Sequence, residues 1–377
     1  MRPLLKRWSI SIACLLSGAL PKREIAILHG RPDYEDNVVA LERGLRGSRL
    51  KKVVVILSSP ATPSPVQLGP RTIVTGSRSV RGVFHFLTAK YVFFTHSTYT
   101  PRFPRRVTSV NVWHGMPVKR VGWTIGAGDS VPIVQYSVAT SPLWVEIVQD
   151  ALRPTVATLD TGLPRNDRLL LGGPGIATSL GYGPGACLKL IAWLPTFRSS
   201  WDGPGGILTR THSLGVPADK LEELNGILER HQAVCVVKPH PLAVPEDHLD
   251  LSRVRFITDD WLRQKGITLY ELLGASNALV SDVSSVYVDY LILDRPVVHH
   301  FPDIREYEAS RGFSIGPIDD YLAGPNTRDA DEFLEAISAI LEGKDTHAAI
   351  RRRLTALFHT HLDGAATARL LTYLGLA

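Results

Sequence analysis

Short runs that are apolar at every position, separated by amphipathic segments, constrain this chain more than any other feature. EIAILHG, KKVVVILSS, TIVTG, YVFFTHS, TSVNVWHG, IVQYSVATS and TVATLDTG follow one another along its first part. Between them lie segments such as LERGLRG and SPLWVEIVQDALR, whose apolar residues recur at helical spacing. A strand that is apolar on both faces has to be covered on both, which a parallel sheet flanked by helices achieves. The rhythm breaks at residues 171–186, LGGPGIATSLGYGPGA, where Gly and Pro are dense and no period survives. It then restarts. LKLIAWLP, AVCVVKPHP, VRFITDD, NALVSD and PVVHHF read as strands, and DKLEELNGILERHQ, TLYELLGAS and SSVYVDYLILD as helices. The last stretch, from DADEFLEAISAILEG through IRRRLTALFHTHL to AATARLLTYL, reads as helical and is expected to pack back across the assembly.

The expected fold is α/β, two successive open parallel sheets with a flexible join between them. At 377 residues the chain exceeds what one hydrophobic core usually supports. The boundaries that follow are a basic apolar segment over 1–22, an N-terminal domain over 23–170 and a Gly/Pro-rich linker over 171–186. A C-terminal domain over 187–377 then includes the final helices. Open sheets of this kind hold ligands outside the carboxyl ends of their strands, so the polar residues at those ends are the candidates for chemistry.

Composition narrows the partners. Lys and Arg number 42 against 36 Asp and Glu, a net charge of +6 that favours anionic or phosphate-bearing ligands. Nucleic acid is not expected, because no basic low-complexity tail, zinc-ligand spacing or base-stacking motif occurs. Cys14, Cys187 and Cys235 lie far apart in apolar surroundings, the pattern of a reduced compartment without a disulfide framework. The N-terminus, MRPLLKRWSISIACLLSGALPKR, has a basic start and a mostly apolar run too short to cross a hydrocarbon core, which needs ~20 residues. A secretory signal has similar charge and length. The favoured alternative is an interfacial helix in which Trp8, Ile10, Ile12, Leu15 and Leu16 enter the headgroup boundary while Arg2, Lys6, Arg7, Lys22 and Arg23 meet anionic lipid.

Five polar clusters fall at the carboxyl ends of expected strands. His114 follows TSVNVW; Arg165, Asn166 and Asp167 follow TVATLDTGLP; Thr196 and Arg198 follow LKLIAWLP; Lys238 and His240 close AVCVVKPHP; Ser281, Asp282, Ser284 and Ser285 follow NALV. Each has a structural alternative. PRND reads equally as a Pro-initiated turn in which Asn166 or Asp167 caps a helix, and SDVSS as the N-cap of VYVDYLILD. A helix start of that kind also presents backbone N–H groups and hydroxyls to a phosphate. The only D-x-D, Asp329-Ala330-Asp331, runs into EFLEAISAIL and reads as acidic first-turn residues rather than a metal site. His299, His300, His359 and His361 have no companion carboxylate or cysteine at ligand spacing, so they read as core or surface histidines.

NVWHGMPVKRVG, TGLPRND, WLPTFR, VVKPHP and GASNALVSDVSSVYVDYLILDRPVV, in this order, resemble the motif series of the CDP-glycerol glycerophosphotransferases that build teichoic acids and related poly(alditol phosphate) capsules. RGFSIGP, FHTHLDGAATAR and, more loosely, DYEDNVVAL are similar to further segments of that family, so the resemblance spans nearly the whole chain. It implies a GT-B-like α/β fold of two Rossmann-like domains whose parallel sheets face a central cleft, and transfer of an alditol phosphate from CDP-glycerol or CDP-ribitol to a hydroxyl of a lipid-linked acceptor, with release of CMP. The resemblance makes His114 the base and puts His240 near the donor phosphates. Arg165, Asn166, Asp167, Thr196, Arg198, Lys238, Ser281, Asp282, Ser284, Ser285 and Asp289 are expected to bind substrate, and Asn37, Lys119 and Arg120 to meet the acceptor. No cofactor or metal is implied, and the expected place of work is the cytoplasmic face of the membrane. Met116 and Val118 stand where the family usually has threonine and leucine, which bears on acceptor or alditol preference.

These roles agree with phosphoryl-transfer chemistry, which needs an in-line hydroxyl, a group to take its proton and positive charge around the departing phosphate. Imidazole is the side chain that takes up a proton near neutrality. Two other readings stay open at this level: a GT-B sugar transferase acting on a nucleotide sugar, and a non-catalytic protein that only binds a nucleotide or polyanion. Glycerol or ribitol donor, and priming or polymerisation, are also left open. If the N-terminal segment is an interfacial helix, deleting residues 1–20 releases the protein from anionic vesicles in a flotation assay while turnover on a soluble acceptor persists. Unchanged vesicle recovery would remove the idea.

Overall fold

The computed structural model describes residues 14–59, 61–96, 98–173, 175–183, 188–195, 214–239 and 251–377. Within them the chain forms two compact units, Met1–Leu170 with Leu357–Ala377, and Leu171–Ala356. The expected C-terminal domain reached Ala377; instead the last 21 residues group with the first unit.

The first unit carries a seven-stranded sheet in the order β3-β2-β1-β4-β5-β6-β7. Its strands are β1 (Arg23–His29), β2 (Lys52–Leu57), β3 (Thr72–Gly76), β4 (Ala89–Phe94), β5 (Thr108–Asn111), β6 (Tyr136–Ala139) and β7 (Ala157–Asp160), one for each apolar run read from the sequence. Every neighbouring pair is parallel. Helices α1 (Asp36–Leu45), α2 (Val80–Thr88), α3 (Pro142–Leu152) and α4 (Pro164–Leu171) follow β1, β3, β6 and β7. One face of the sheet buries Ile25, Ile27, Val54, Ile56, Val92 and Phe94 against Phe86 of α2. The order runs outward from β1 to β3 and then resumes on the other side of β1 with β4. The carboxyl ends of β1 and β4 therefore flank a topological switch point, where such sheets leave a crevice.

The second unit repeats the plan with six strands in the order β10-β9-β8-β11-β12-β13. These are β8 (Lys189–Leu194), β9 (Ala233–Val237), β10 (Val254–Phe256), β11 (Ala278–Ser281), β12 (Val297–His300) and the two-residue β13 (Asn326–Thr327), again all parallel. Its helices are α5 (Ile176–Ser179), α6 (Ala218–Arg230), α7 (Asp259–Lys265), α8 (Leu269–Ala275), α9 (Ser285–Tyr290), α10 (Ile304–Ser310), α11 (Ala330–Leu341) and α12 (Ala348–Phe358), the last running into the first unit. Alternation along the strands fills both faces: Ile191, Trp193, Cys235 and Val237 pack with α6 and α11, while Leu190, Val234 and Val236 pack with Ile176, Leu262 and Leu272. The switch point here lies between β8 and β11.

The returning C-terminal segment is fastened to the first sheet by its backbone. Thr140 Oγ1 donates to Phe358 O at 2.7 Å and Thr360 N–H donates to Thr140 O at 2.8 Å. The Phe358 ring lies 5.2 Å from that of buried Trp144, and α13 (Ala366–Tyr373) follows.

Residues 14–19 are helical and Leu15 and Leu16 are exposed, but Lys22 does not point outward as the lipid-facing reading required. It is half-buried and donates to Ser17 Oγ and Leu87 O, both at 2.8 Å, so its charge serves the junction between this helix and α2. Arg23 opens β1, with its guanidinium 5.1 Å from the Phe84 ring centre. Trp8, Ile10, Ile12, Arg2, Lys6 and Arg7 lie outside the described residues, as does Cys187.

Candidate active site

Phe94 of β4 pairs with Asn111 of β5, and both strands end there. The next residues of each leave the sheet side by side, which brings His96 and His114 into contact. Their rings stack with centroids 4.2 Å apart and planes 10° from parallel. The Trp113 ring adds a third member, 4.3 Å from His114 at 31° and 6.4 Å from His96 at 25°.

The backbone is forced to present this cluster. Trp113 takes a φ of 52° and Gly115 one of 125°, and the first is a costly conformation for a bulky side chain. It persists because neighbouring side chains over-determine the loop. Asn111 Oδ1 accepts from Trp113 N at 3.0 Å, and Asn37 Nδ2 donates to Trp113 O at 3.1 Å. Asn37 also accepts from Arg165 N at 3.0 Å and donates to Glu35 Oε1 at 2.9 Å. It is fully buried, so the expected acceptor contact is corrected: Asn37 clips together α1, the WHG loop and α4. Met116 and Val118 are likewise buried and act as packing beneath the loop rather than as its lining.

Charge around the cluster is arranged so that His114 is uncharged at neutrality. Burial lowers its pKa to about 3, with His96 and Arg165 adding repulsion and a hydrogen bond with the Thr95 backbone acting the other way. Burial likewise brings His96 down to about 4, helped by Arg31 and His29. Glu35, the N-cap of α1, sits 3.6 Å from the Arg165 guanidinium; burial pushes its carboxyl up to about 7 against the pull of Arg165. Arg168 approaches Asp36 at 3.9 Å, so both arginines of α4 face acidic groups of α1. His96, Glu35 and Arg168 are site residues that sequence reasoning missed; the acidic run DYED was the only signal for the pairing.

Two more members of TGLPRND are now placed. Asn166 is buried beside Arg165. Asp167 is turned to α13, accepting from Ala366 N and Thr367 N at 2.8 Å each, so in place of the expected substrate contact it caps a helix. The following cations differ in exposure, Lys119 being half-buried and Arg120 exposed.

In the second unit, Ser281, Asp282, Ser284 and Ser285 lie at the β8–β11 switch point. Ser281 and Asp282 are buried, whereas Ser284 and Ser285 are partly exposed. Ser284 occupies the N-cap position of α9, as read from the sequence, without a side-chain cap bond. The loop is braced from below by His299, whose Nε2 accepts from Ala323 N at 3.0 Å and whose Nδ1 lies 3.3 Å from Asp282 O; burial lowers its pKa to about 4. His300 meets Thr327 Oγ1 at 2.8 Å, and both are core histidines. Asp289 is fully buried and accepts from Tyr270 Oη at 2.5 Å, joining α8 to α9 in place of the expected substrate contact. Lys238, at the end of β9, pairs with Asp259 at 3.0 Å. Thr196, Arg198 and His240 lie outside the described residues. Asp329 accepts from Glu332 N at 2.9 Å as the N-cap of α11, which gives the D-x-D a capping role. Among the described residues no group of three or more His, Cys, Asp or Glu is arranged to hold a metal ion.

Asp167→Ala removes the two bonds that start α13 and is expected to destabilise the fold by ~1 kcal/mol, the usual worth of a helix cap. Chemical denaturation measures this, and an unchanged midpoint would reinstate a ligand role for the carboxylate.

A family model described as CDP-Glycerol:Poly(glycerophosphate) glycerophosphotransferase matches residues 18–375. The teichoic acid ribitol-phosphate primase of Bacillus spizizenii is 25% identical over 319 residues, covering 78% of this chain and 76% of the relative. The teichoic acid glycerol-phosphate transferase of Staphylococcus aureus is 28% identical over 297 residues, covering 70% of each. Among solved structures, the wall teichoic acid polymerase TagF superposes with a TM-score of 0.76 at 18% identity, covering 98% of this chain and 93% of that one. The UDP-GlcNAc 2-epimerase of Methanocaldococcus jannaschii superposes at 0.52 and 12% identity, covering 93% and 99%. These likenesses establish the GT-B-like α/β fold.

Proposed function

The chain belongs to the CDP-glycerol:poly(glycerophosphate) glycerophosphotransferase family and is a transferase, and from that premise we propose its reaction. It moves glycerol phosphate, or another alditol phosphate, from a CDP-alditol to a hydroxyl of a lipid-linked acceptor and releases CMP, in the synthesis of a teichoic acid or capsule-type polymer. The acceptor hydroxyl attacks the phosphorus that carries the alditol. Its proton passes to His114 as the new P–O bond forms, and the bond to the CMP oxygen breaks, leaving the electron pair on CMP.

The observation that carries this reading is the imidazole of His114, presented after β5 and stacked on His96 beside the β1–β4 switch point. An imidazolium there would have no lone pair for the proton; a neutral ring does. The phosphates of an arriving donor are anionic, so they oppose the repulsion from His96 and Arg165 and raise the basicity of His114 as the complex forms. Arg165, Lys119 and Arg120 supply positive charge on the acceptor side. Ser284, Ser285 and the backbone N–H groups after Asp282, with Lys238, Thr196, Arg198 and His240, form the donor side.

The enzyme works as a peripheral protein on the cytoplasmic membrane face. Among the described residues no helix is long and apolar enough to cross a membrane. What supports surface binding is the exposure of Leu15, Leu16, Val80 and Phe84 beside Arg23.

The test is a donor panel. CDP-glycerol, CDP-ribitol, UDP-sugars and GDP-sugars are each incubated with the protein and a lipid-diphosphate-sugar acceptor, and nucleotide release is measured. CMP from a CDP-alditol is expected, with His114→Ala slowing turnover ~10²- to 10⁴-fold, the usual worth of a general base. Transfer from a UDP- or GDP-sugar alone would make the protein a glycosyltransferase, and full turnover by His114→Ala would move the base elsewhere.

A further inference from the structure

His96 has no role in the mechanism above, yet it touches the group that does. Its environment is built. Thr95 Oγ1 accepts from Arg31 N at 3.1 Å and lies 3.0 Å from His96 Nδ1, so the hydroxyl holds that edge of the ring in place. Thr95 N–H in turn donates to His29 O at 3.2 Å, tying the segment to the end of β1. The ring is thereby set parallel to His114 at 4.2 Å, the closest ring approach in the three-membered cluster.

We propose that His96 is a positioning residue for His114: stacked on it, His96 fixes the plane in which His114 meets the substrate hydroxyl, and the stack admits one proton at a time because two imidazolium rings in contact repel. The proposal rests on His114 being the base. In the transfer step His96 takes no proton; the hydroxyl proton goes to His114 alone, and His96 stays neutral beside the imidazolium that forms. The Trp113 face, 4.3 Å away, favours that cation, since an indole ring attracts positive charge. The charged and titratable groups around the pair act in both directions. Arg165 on α4 acts on His114, while His29 at the end of β1 and Arg31 just after it act on His96, and all three oppose a second positive charge. Glu35 and Asp36 on α1 face the two α4 arginines and moderate them. A mutual exclusion of protons within the stack explains why a base set among so many cations stays aligned rather than being driven apart by charging.

Two variants separate alignment from charge. His96→Phe keeps an aromatic ring in the stack but cannot be protonated; His96→Asn removes the ring. Histidines labelled at the imidazole are titrated by NMR, and the pH dependence of kcat/KM is measured on the same proteins with CDP-glycerol as donor. In His96→Phe the His114 titration is expected to rise by about one pH unit, a tenfold gain in proton affinity, once the competing proton is gone. The acid limb of kcat/KM moves up with it. In His96→Asn, kcat falls ~10-fold with donor KM within twofold, the cost of a misaligned base. An unmoved His114 titration in His96→Phe, or parental kcat in His96→Asn, overturns the proposal. A titration that shifts while the rate limb stays fixed upholds the coupling of the two rings and instead overturns the role of His114 as base.

Discussion

Two parallel sheets buried on both faces leave little of their surface for chemistry except the carboxyl edges, and everything else in this protein is arranged around that constraint. Each sheet has one place where the strand order reverses, so that the chain leaves adjacent strands in opposite directions. In the first unit that place holds Glu35, His96 and the WHG loop; in the second it holds the serines that follow β11. A likeness in plan between the two halves thus coexists with a division of chemistry, because the residues delivered to the two switch points differ. The first delivers imidazoles and guanidinium groups, the second hydroxyls and backbone N–H groups.

The first site is held under tension by polar contacts rather than by apolar packing alone. A tryptophan at positive φ and three nearly parallel rings amid several cations would relax if left unsupported. Asn37 prevents this by bonding at once to the loop, to α4 and to Glu35, and Asn111 pins the loop at its start. The cost is a buried polar network that has to be satisfied in full, and the gain is a histidine whose orientation is fixed before substrate arrives. The pairing of Arg165 and Arg168 with Glu35 and Asp36 keeps cationic charge close to the ring without leaving it unbalanced.

Much of this was legible in the sequence where the physics is local. Strands buried on both faces announce themselves as continuous apolar runs, and all twelve that were read in this way form strands. Helix α2 was not read, because Val80 and Phe84 on its exposed side are as apolar as the face it buries, so the helical period is blurred. Strand β13 is two residues long and carries no pattern at all. Position at strand ends led to His114 and to the serines after β11, since topology puts ligands there whatever the details. Asn37, Asp167 and Asp289 were misread for one common reason: an amide or carboxylate that satisfies a backbone or hydroxyl donor has the same composition and spacing as one that meets a substrate. His96 was invisible because its partner is 18 positions away and their contact depends on the β4–β5 register. The return of the C-terminal helices to the first unit depends on tertiary contacts such as Thr140 with Phe358, which no local pattern encodes.

The proposed reaction gives His114 the acceptor's proton and the serines after β11 the donor, two roles that separate by mutation. Calorimetric titration of CDP-glycerol into His114→Ala and into a Ser284→Ala, Ser285→Ala double variant tests it most directly. The account predicts that the first binds the donor as tightly as the parent and that the second binds it at least ~10-fold more weakly, the loss expected when two hydroxyl contacts to a phosphate are removed. Donor affinity that collapses in His114→Ala, or that survives intact in the double-serine variant, would contradict it.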